Sequence, residues 1–144
     1  RIYDMGGVTI IEDCYNAGPE SMRAAIDVLC GLDGEGRRIA LLGDMRELGA
    51  SELMYHRSTG AYAAERGVDI LFTIGALAGE IAAGAVAAGM NDDNIYVNID
   101  ENTYAATADE LAEVIRPGDK LLVKASRAVR AERVIECLAL ALKK

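Results

Sequence analysis

The chain has no tryptophan, one phenylalanine, one histidine, two prolines and three cysteines in 144 residues. Three is an odd number, and none of the cysteines stands in C-x-x-C spacing, so neither a disulfide scaffold nor a zinc framework is written here. Cys14, Cys30 and Cys137 therefore read as reduced, incidental thiols. No apolar run approaches the ~20 residues that span a bilayer, and no basic-then-apolar leader pattern opens the chain. These absences predict a cytoplasmic protein with no membrane partner. Positive charge is scarce as well: 15 Lys and Arg against 23 Asp and Glu leave a net charge of −8. No basic stripe is offered to nucleic acid. Catalytic motifs are also missing, namely G-x-x-x-x-G-K-[ST], G-x-G-x-x-G after the first strand, H-E-x-x-H and G-x-S-x-G. Triphosphate, dinucleotide, metal and serine-nucleophile chemistry thus have no complete apparatus in this chain.

What is present is apolar and periodic. Hydrophobic residues make up 51% of the chain, too many for a disordered tail. The length suits a single domain over 1–144, and an opening Arg1 rather than Met predicts a piece of something longer. Strands are expected over 1–4 and 8–13, joined at Gly6-Gly7, a dipeptide suited to a tight hairpin. A helix over 20–30 aligns Met22, Ala25, Ile26 and Leu29, with Pro19 ahead of it and Gly31 behind. The unit then repeats. Strands are predicted over 38–42, 69–73, 95–99 and 120–124, and helices over 51–66, 76–88, 103–115 and 131–142. Strands alternating with helices predict an α/β fold. Specifically, the expectation is a Rossmann-like three-layer α/β/α sandwich, with a mostly parallel sheet of about six strands and an N-terminal antiparallel hairpin. The Gly/Ala-rich helix over 76–88 is expected to pack close to the sheet.

In open α/β sheets, ligands bind beyond the carboxyl ends of the strands. Those ends carry Asp13-Cys14-Tyr15-Asn16, Gly43-Asp44-Met45, Thr73-Ile74-Gly75 and Lys124-Ala125-Ser126-Arg127. Two acids, an amide, hydroxyls and two bases thus gather on one rim. His56 falls toward the inward face of its helix and reads as a packed, hydrogen-bonded side chain. Asp92-Asp93 reads as a solvated turn.

Three stretches go beyond generic α/β patterning. They are Asp13-x-Tyr15-Asn16-Ala17-x-Pro19-x-Ser21-Met22, the run LGDMRELG over 42–49 with His56 and Gly60 following, and LVKASR over 122–127. In this order they resemble the C-terminal domain of the Mur ligases. The likeness is to the branch that joins D-alanyl-D-alanine to a UDP-N-acetylmuramoyl-tripeptide in peptidoglycan precursor synthesis, and it covers nearly the whole chain. The resemblance implies an ATP-dependent ligase working through an acyl phosphate. ATP and Mg2+ would be held mainly by a central domain that this chain lacks, so the chain alone is expected to be inactive.

Carried over by residue, Asp13 resembles the acid that bonds the nucleotide ribose, and Tyr15 and Asn16 the residues beside the adenine. Arg1 resembles an arginine at the domain junction that reaches toward the γ-phosphate. Lys124, Ser126 and Arg127 resemble the group beside the peptide substrate, and Asp44 and Glu47 are expected to line the same cleft. No metal ligands are expected. Two departures stand out: Gly18 where the family has a second Asn, and Ala125 where it has Gly, a methyl where positive φ or close ligand approach is expected. Another Mur-type ligase or a folylpolyglutamate synthase would share the fold. A receiver-like signalling domain shares Glu12-Asp13, Asp44, Thr73 and Lys124 as a set. Its topology differs, because Asp44 ends the strand directly after the Asp13 unit.

Overall fold

In the computed structural model, which describes residues 1–100 and 103–143, the chain begins with the hairpin. Gly6 and Gly7 both take positive φ, 58° and 87°, as the tight turn between twisted strands requires. They join β1 (Ile2–Met5) to β2 (Val8–Asp13), antiparallel, with Ile2 opposite Ile11. The remaining strands are β3 (Arg38–Gly43), β4 (Ile70–Ile74), β5 (Ile95–Asn98) and β6 (Lys120–Lys124). They run parallel to β2 and to one another, in the order β1-β2-β6-β3-β4-β5. The helices are α1 (Pro19–Gly31), α2 (Glu52–Arg66), α3 (Ala78–Ala87), α4 (Tyr104–Val114) and α5 (Glu132–Leu142). This is the six-stranded, three-layer architecture the alternation predicts.

Two cores lie on the two faces of the sheet. Ile11, Ala40, Leu42, Leu71 and Leu122 meet α1, α2 and α3, with Met22, Ile26 and Leu29 of α1 fully buried. Ile10, Ile39, Leu41, Phe72, Leu121 and Val123 meet α4 and α5 through Leu111, Val134, Ile135 and Leu138. The uninterrupted apolar runs of β3 and β6 are explained by their central places, covered on both sides.

Helix α3 packs closely on the sheet, over β3, β4 and β5, and still more closely on α2. A Cβ built on Gly84 would sit 1.8 Å from the carbonyl oxygen of Arg57, and one on Gly60 1.8 Å from that of Ile81. The small residues of 76–88 thus serve a helix–helix crossing as well as the expected close approach to the sheet, where Ile81 and Ala85 are fully buried.

The winding places the crevice. Helices α1, α2 and α3 carry the chain outward from β2 to β5 on one face. Helix α4 then returns it on the other face, and β6 slots between β2 and β3. Connections leaving the neighbours β2 and β6 therefore diverge to opposite faces, which opens a crevice at their carboxyl ends.

Strand β6 carries buried lysines at both ends, on the face beneath α1. Lys120 donates through Nζ to the carbonyls of Leu32 and Gly34, each at 3.2 Å. That is the carboxyl end of α1, where the helix dipole favours a cation.

Candidate functional site

Register builds the site first. Asp13 ends β2 directly beside Lys124, which ends β6. The Lys124 side chain is 2% exposed, and its Nζ donates to Asp13 Oδ2 at 2.6 Å and to the Asn16 carbonyl at 2.8 Å. The carboxylate is half open to solvent, at 46%. The ammonium thus approaches Asp13 from within the fold, while the other side of the carboxylate faces outward. Beyond it, Tyr15 stands 74% exposed, with the Arg127 guanidinium carbon 5.3 Å from its ring centroid. That cation–π contact joins the loop after β2 to the loop after β6.

Asp13 borders two shallow grooves. One, of about 360 Å³, is lined by Glu12, Asp13, Cys14, Tyr15, Arg127 and Glu132. The other, of about 310 Å³, runs between Arg1 and Ile2 on one side and Ser21 and Ala25 of α1 on the other, with Asp13 at its edge. Arg1 reaches this rim because its backbone pairs with Glu12, and its guanidinium lies 4.5 Å from the Tyr3 ring centroid. Arg1, Asp13, Tyr15, Asn16, Lys124 and Arg127 are therefore brought together. A larger groove of about 730 Å³ lies between the start of α1 and α2, lined by Pro19, Ser21, Arg23, Met54, Tyr55 and Ser58. None of the converging loop residues reaches it, so size is a poorer guide here than the gathering of polar groups.

The other sequence candidates serve the frame around the rim. Asp44 is 2% exposed, and its carboxylate accepts from the N–H groups of Ala76 and Leu77 at 2.9 Å each. It caps the approach to α3, a role the Gly43-Asp44 strand end does not signal without its distant partner. Glu47 is exposed and holds a left-handed backbone, φ 60°. His56 is fully buried. Its Nε2 accepts from the Met45 N–H at 3.0 Å, which puts the ring proton on Nδ1, 2.6 Å from the Glu52 carbonyl. It is the packed, hydrogen-bonded histidine expected, and it pins the loop after β3 to α2. Asp92 and Asp93 are exposed in a short turn, also as expected.

Ser126 is 5% exposed, donates its backbone N–H to the Asp44 carbonyl, and buries an Oγ without a partner. Ala125 is fully buried, outside the positive-φ set, and its methyl points at Gly43. A Cβ on Gly43 would lie 2.6 Å from it, so a glycine on the neighbouring strand makes the room. The departure at Ala125 thus faces the core rather than a ligand. Gly18 is extended, φ −136°, and leaves α1 without a side-chain N-cap. Ser21 compensates by accepting from the Gly18 N–H at 2.9 Å. That exchange costs only a few tenths of a kcal/mol relative to a capping Asn.

Sequence reasoning did not single out Glu132 in the first groove, and named Glu12 only beside Asp13 in the receiver-like set. Strand alternation places Glu12 on the face opposite Asp13, where it accepts from the Tyr3 hydroxyl at 2.7 Å. Burial, and then that hydrogen bond, push the Tyr3 hydroxyl up to about 12. Burial likewise pushes the Cys14 thiol up to about 12, helped by Glu132 and Glu12. A thiol so protonated is no nucleophile near neutral pH. Among the described residues no group of three His, Cys, Asp or Glu side chains could hold a metal ion.

Comparison with known proteins follows the same outline. The family described as "Mur ligase, glutamate ligase domain" matches residues 1–127. The UDP-N-acetylmuramoyl-tripeptide–D-alanyl-D-alanine ligase of Bacillus subtilis is 36% identical over 132 residues, 92% of this chain and 28% of the relative. The enzyme of the same name from Synechocystis is 37% identical over 139 residues, 96% of this chain and 29% of the relative. Among solved structures, the MurF ligase of Thermotoga maritima in complex with ADP superposes with a TM-score of 0.81 at 30% identity. That superposition covers 99% of this chain and 30% of the other. The chain thus spans under a third of the length of each of these three proteins.

Proposed function

The chain belongs to the Mur ligase family, and from that membership we propose that it is the C-terminal domain of a ligase adding D-alanyl-D-alanine to a UDP-N-acetylmuramoyl-tripeptide. The observation that carries this reading is the rim at the ends of β2 and β6. There Asp13, Tyr15 and Asn16 share one loop, with Arg1 and Arg127 beside it.

The reaction joins a carboxylate to an amine. The γ-phosphoryl group of ATP passes to the tripeptide carboxylate, giving an acyl phosphate and ADP. The dipeptide amine then attacks the acyl carbon, loses a proton, and expels phosphate from the tetrahedral intermediate. This chain's residues bind and orient. The outward side of the Asp13 carboxylate accepts from the ribose hydroxyls. The exposed Tyr15 ring offers a flat surface to adenine, and the Asn16 amide offers both donor and acceptor. Arg1, at the edge of the second groove, approaches the phosphates. Arg127 suits the dipeptide carboxylate, which a guanidinium fork binds in two-point fashion, and Ser126 stands between it and Lys124. The nucleotide's Mg2+ finds no cluster of ligands among the described residues. It is assigned no partner here, and the central domain is its place. Such a domain acts in the cytoplasm, where the UDP-linked precursor is made.

The test is acceptor dependence. The full-length enzyme carrying this chain is expected to release phosphate from ATP and the UDP-linked tripeptide only when D-alanyl-D-alanine is supplied. Turnover with a single amino acid in place of the dipeptide would assign the chain to a different branch of the family.

A further inference from the structure

Lys124 is the anomaly of the rim. Lysine is almost never fully buried unless paired, yet this side chain is 2% exposed and at hydrogen-bond distance from Asp13 and the Asn16 carbonyl. Asn16 lies three residues ahead of Pro19, where α1 begins. A cation there stands at the positive end of the helix dipole, opposite to the favourable arrangement of Lys120 at the other end. The fold has an economical alternative, since an apolar side chain of similar volume would fill the space beneath α1 without desolvating an ammonium. What the ammonium does accomplish is geometric. It fixes one carboxylate oxygen of Asp13 and, through a second N–H of the same Nζ, the carbonyl of Asn16 in the loop after β2.

We infer that Lys124 is a positioning residue for the nucleotide: it sets the Asp13 carboxylate and the loop after β2 from behind, and makes no contact with the dipeptide. The inference rests on the nucleotide reading above and departs from the dipeptide role implied by resemblance. Arg127, exposed on the rim, keeps that role. Because Lys124 acts largely through Asp13, its removal matters less once Asp13 is no longer there to be oriented.

The test is a double-mutant cycle in the full-length enzyme, with ATP and dipeptide KM measured for Asp13→Asn, Lys124→Met and both together. Methionine keeps the volume, so the fold should survive, as thermal denaturation would show. Lys124→Gln supplies the same comparison should it not. Lys124→Met is expected to raise the ATP KM by roughly tenfold or more, the scale on which ~1 Å misplacements are felt, and to leave the dipeptide KM little changed. In the Asp13→Asn background it should add clearly less than in the wild type. A rise in dipeptide KM alone, or fully additive effects on ATP KM, would overturn the inference. If Asp13→Asn itself leaves ATP KM unchanged, the ribose assignment falls first and the inference with it.

Discussion

At Asp119, which is 3% exposed, a carboxylate accepts from Arg37 N, Nε and Nη2 and from Arg116 N. Burial alone would push this carboxyl up. The Arg37 guanidinium and the two backbone N–H groups outweigh it and hold it below the usual carboxylate range. A depressed folded-state value means the stabilisation is present above the unfolded value, about 3.9, and is lost as pH falls through the folded one. Asp119→Ala is therefore expected to lose about 2–3 kcal/mol at neutral pH, less than a fully buried pair because Arg37 is partly exposed. Urea denaturation at pH 7 and pH 3 checks this. The gap between wild type and variant should narrow at pH 3, and a gap independent of pH would contradict the assignment. Nothing in the sequence singles out Asp119, because Arg37 lies 82 positions away. Lys124 was legible as a cation at a strand end, but not as one facing inward. Strand alternation puts it on the α1 face, and only the register with β2 shows that Asp13 meets it there.

Elements were more legible than their contacts. Periodicity places each strand and helix to within about two residues, and Pro19 marks the first turn of α1. The strand order was out of reach, since it depends on where α4 returns the chain, and insertion of β6 between β2 and β3 is a long-range outcome. The destination of the glycines in α2 and α3 was equally hidden, because Gly60 and Gly84 acquire meaning only as a pair across the crossing. A side chain at Gly84 has backbone in its way, with Arg57 O at 1.8 Å and Arg57 C at 2.6 Å, so the helices must part to admit it. Gly84→Ala is expected to cost about 1–3 kcal/mol or more by overpacking, despite the better helix propensity of alanine. Gly79, on the same helix, has open space around its Cβ position and serves as control. There, alanine should be neutral or stabilising in the same denaturation experiment, and equal losses at both sites would contradict a tight crossing.

For the molecule as a whole, three loop motifs told more than composition. Net charge of −8 says nothing of a rim that carries the cations Arg1 and Arg127. The absent phosphate loop becomes intelligible once the chain is seen to span 28% and 29% of two relatives. What the sequence left open was the division of labour along the rim. Asp44 and His56 hold the frame, Lys124 backs Asp13, and Asp13, Tyr15 and Arg127 face outward. The direct test of a nucleotide-binding loop on this chain is steady-state kinetics of Asp13→Ala in the full-length enzyme, with ATP and dipeptide varied in turn. Loss of a charge-assisted hydrogen bond worth about 1.5–3 kcal/mol should raise the ATP KM by roughly tenfold or more while sparing the dipeptide KM. Equal shifts in both, or no shift in the ATP KM, would contradict it.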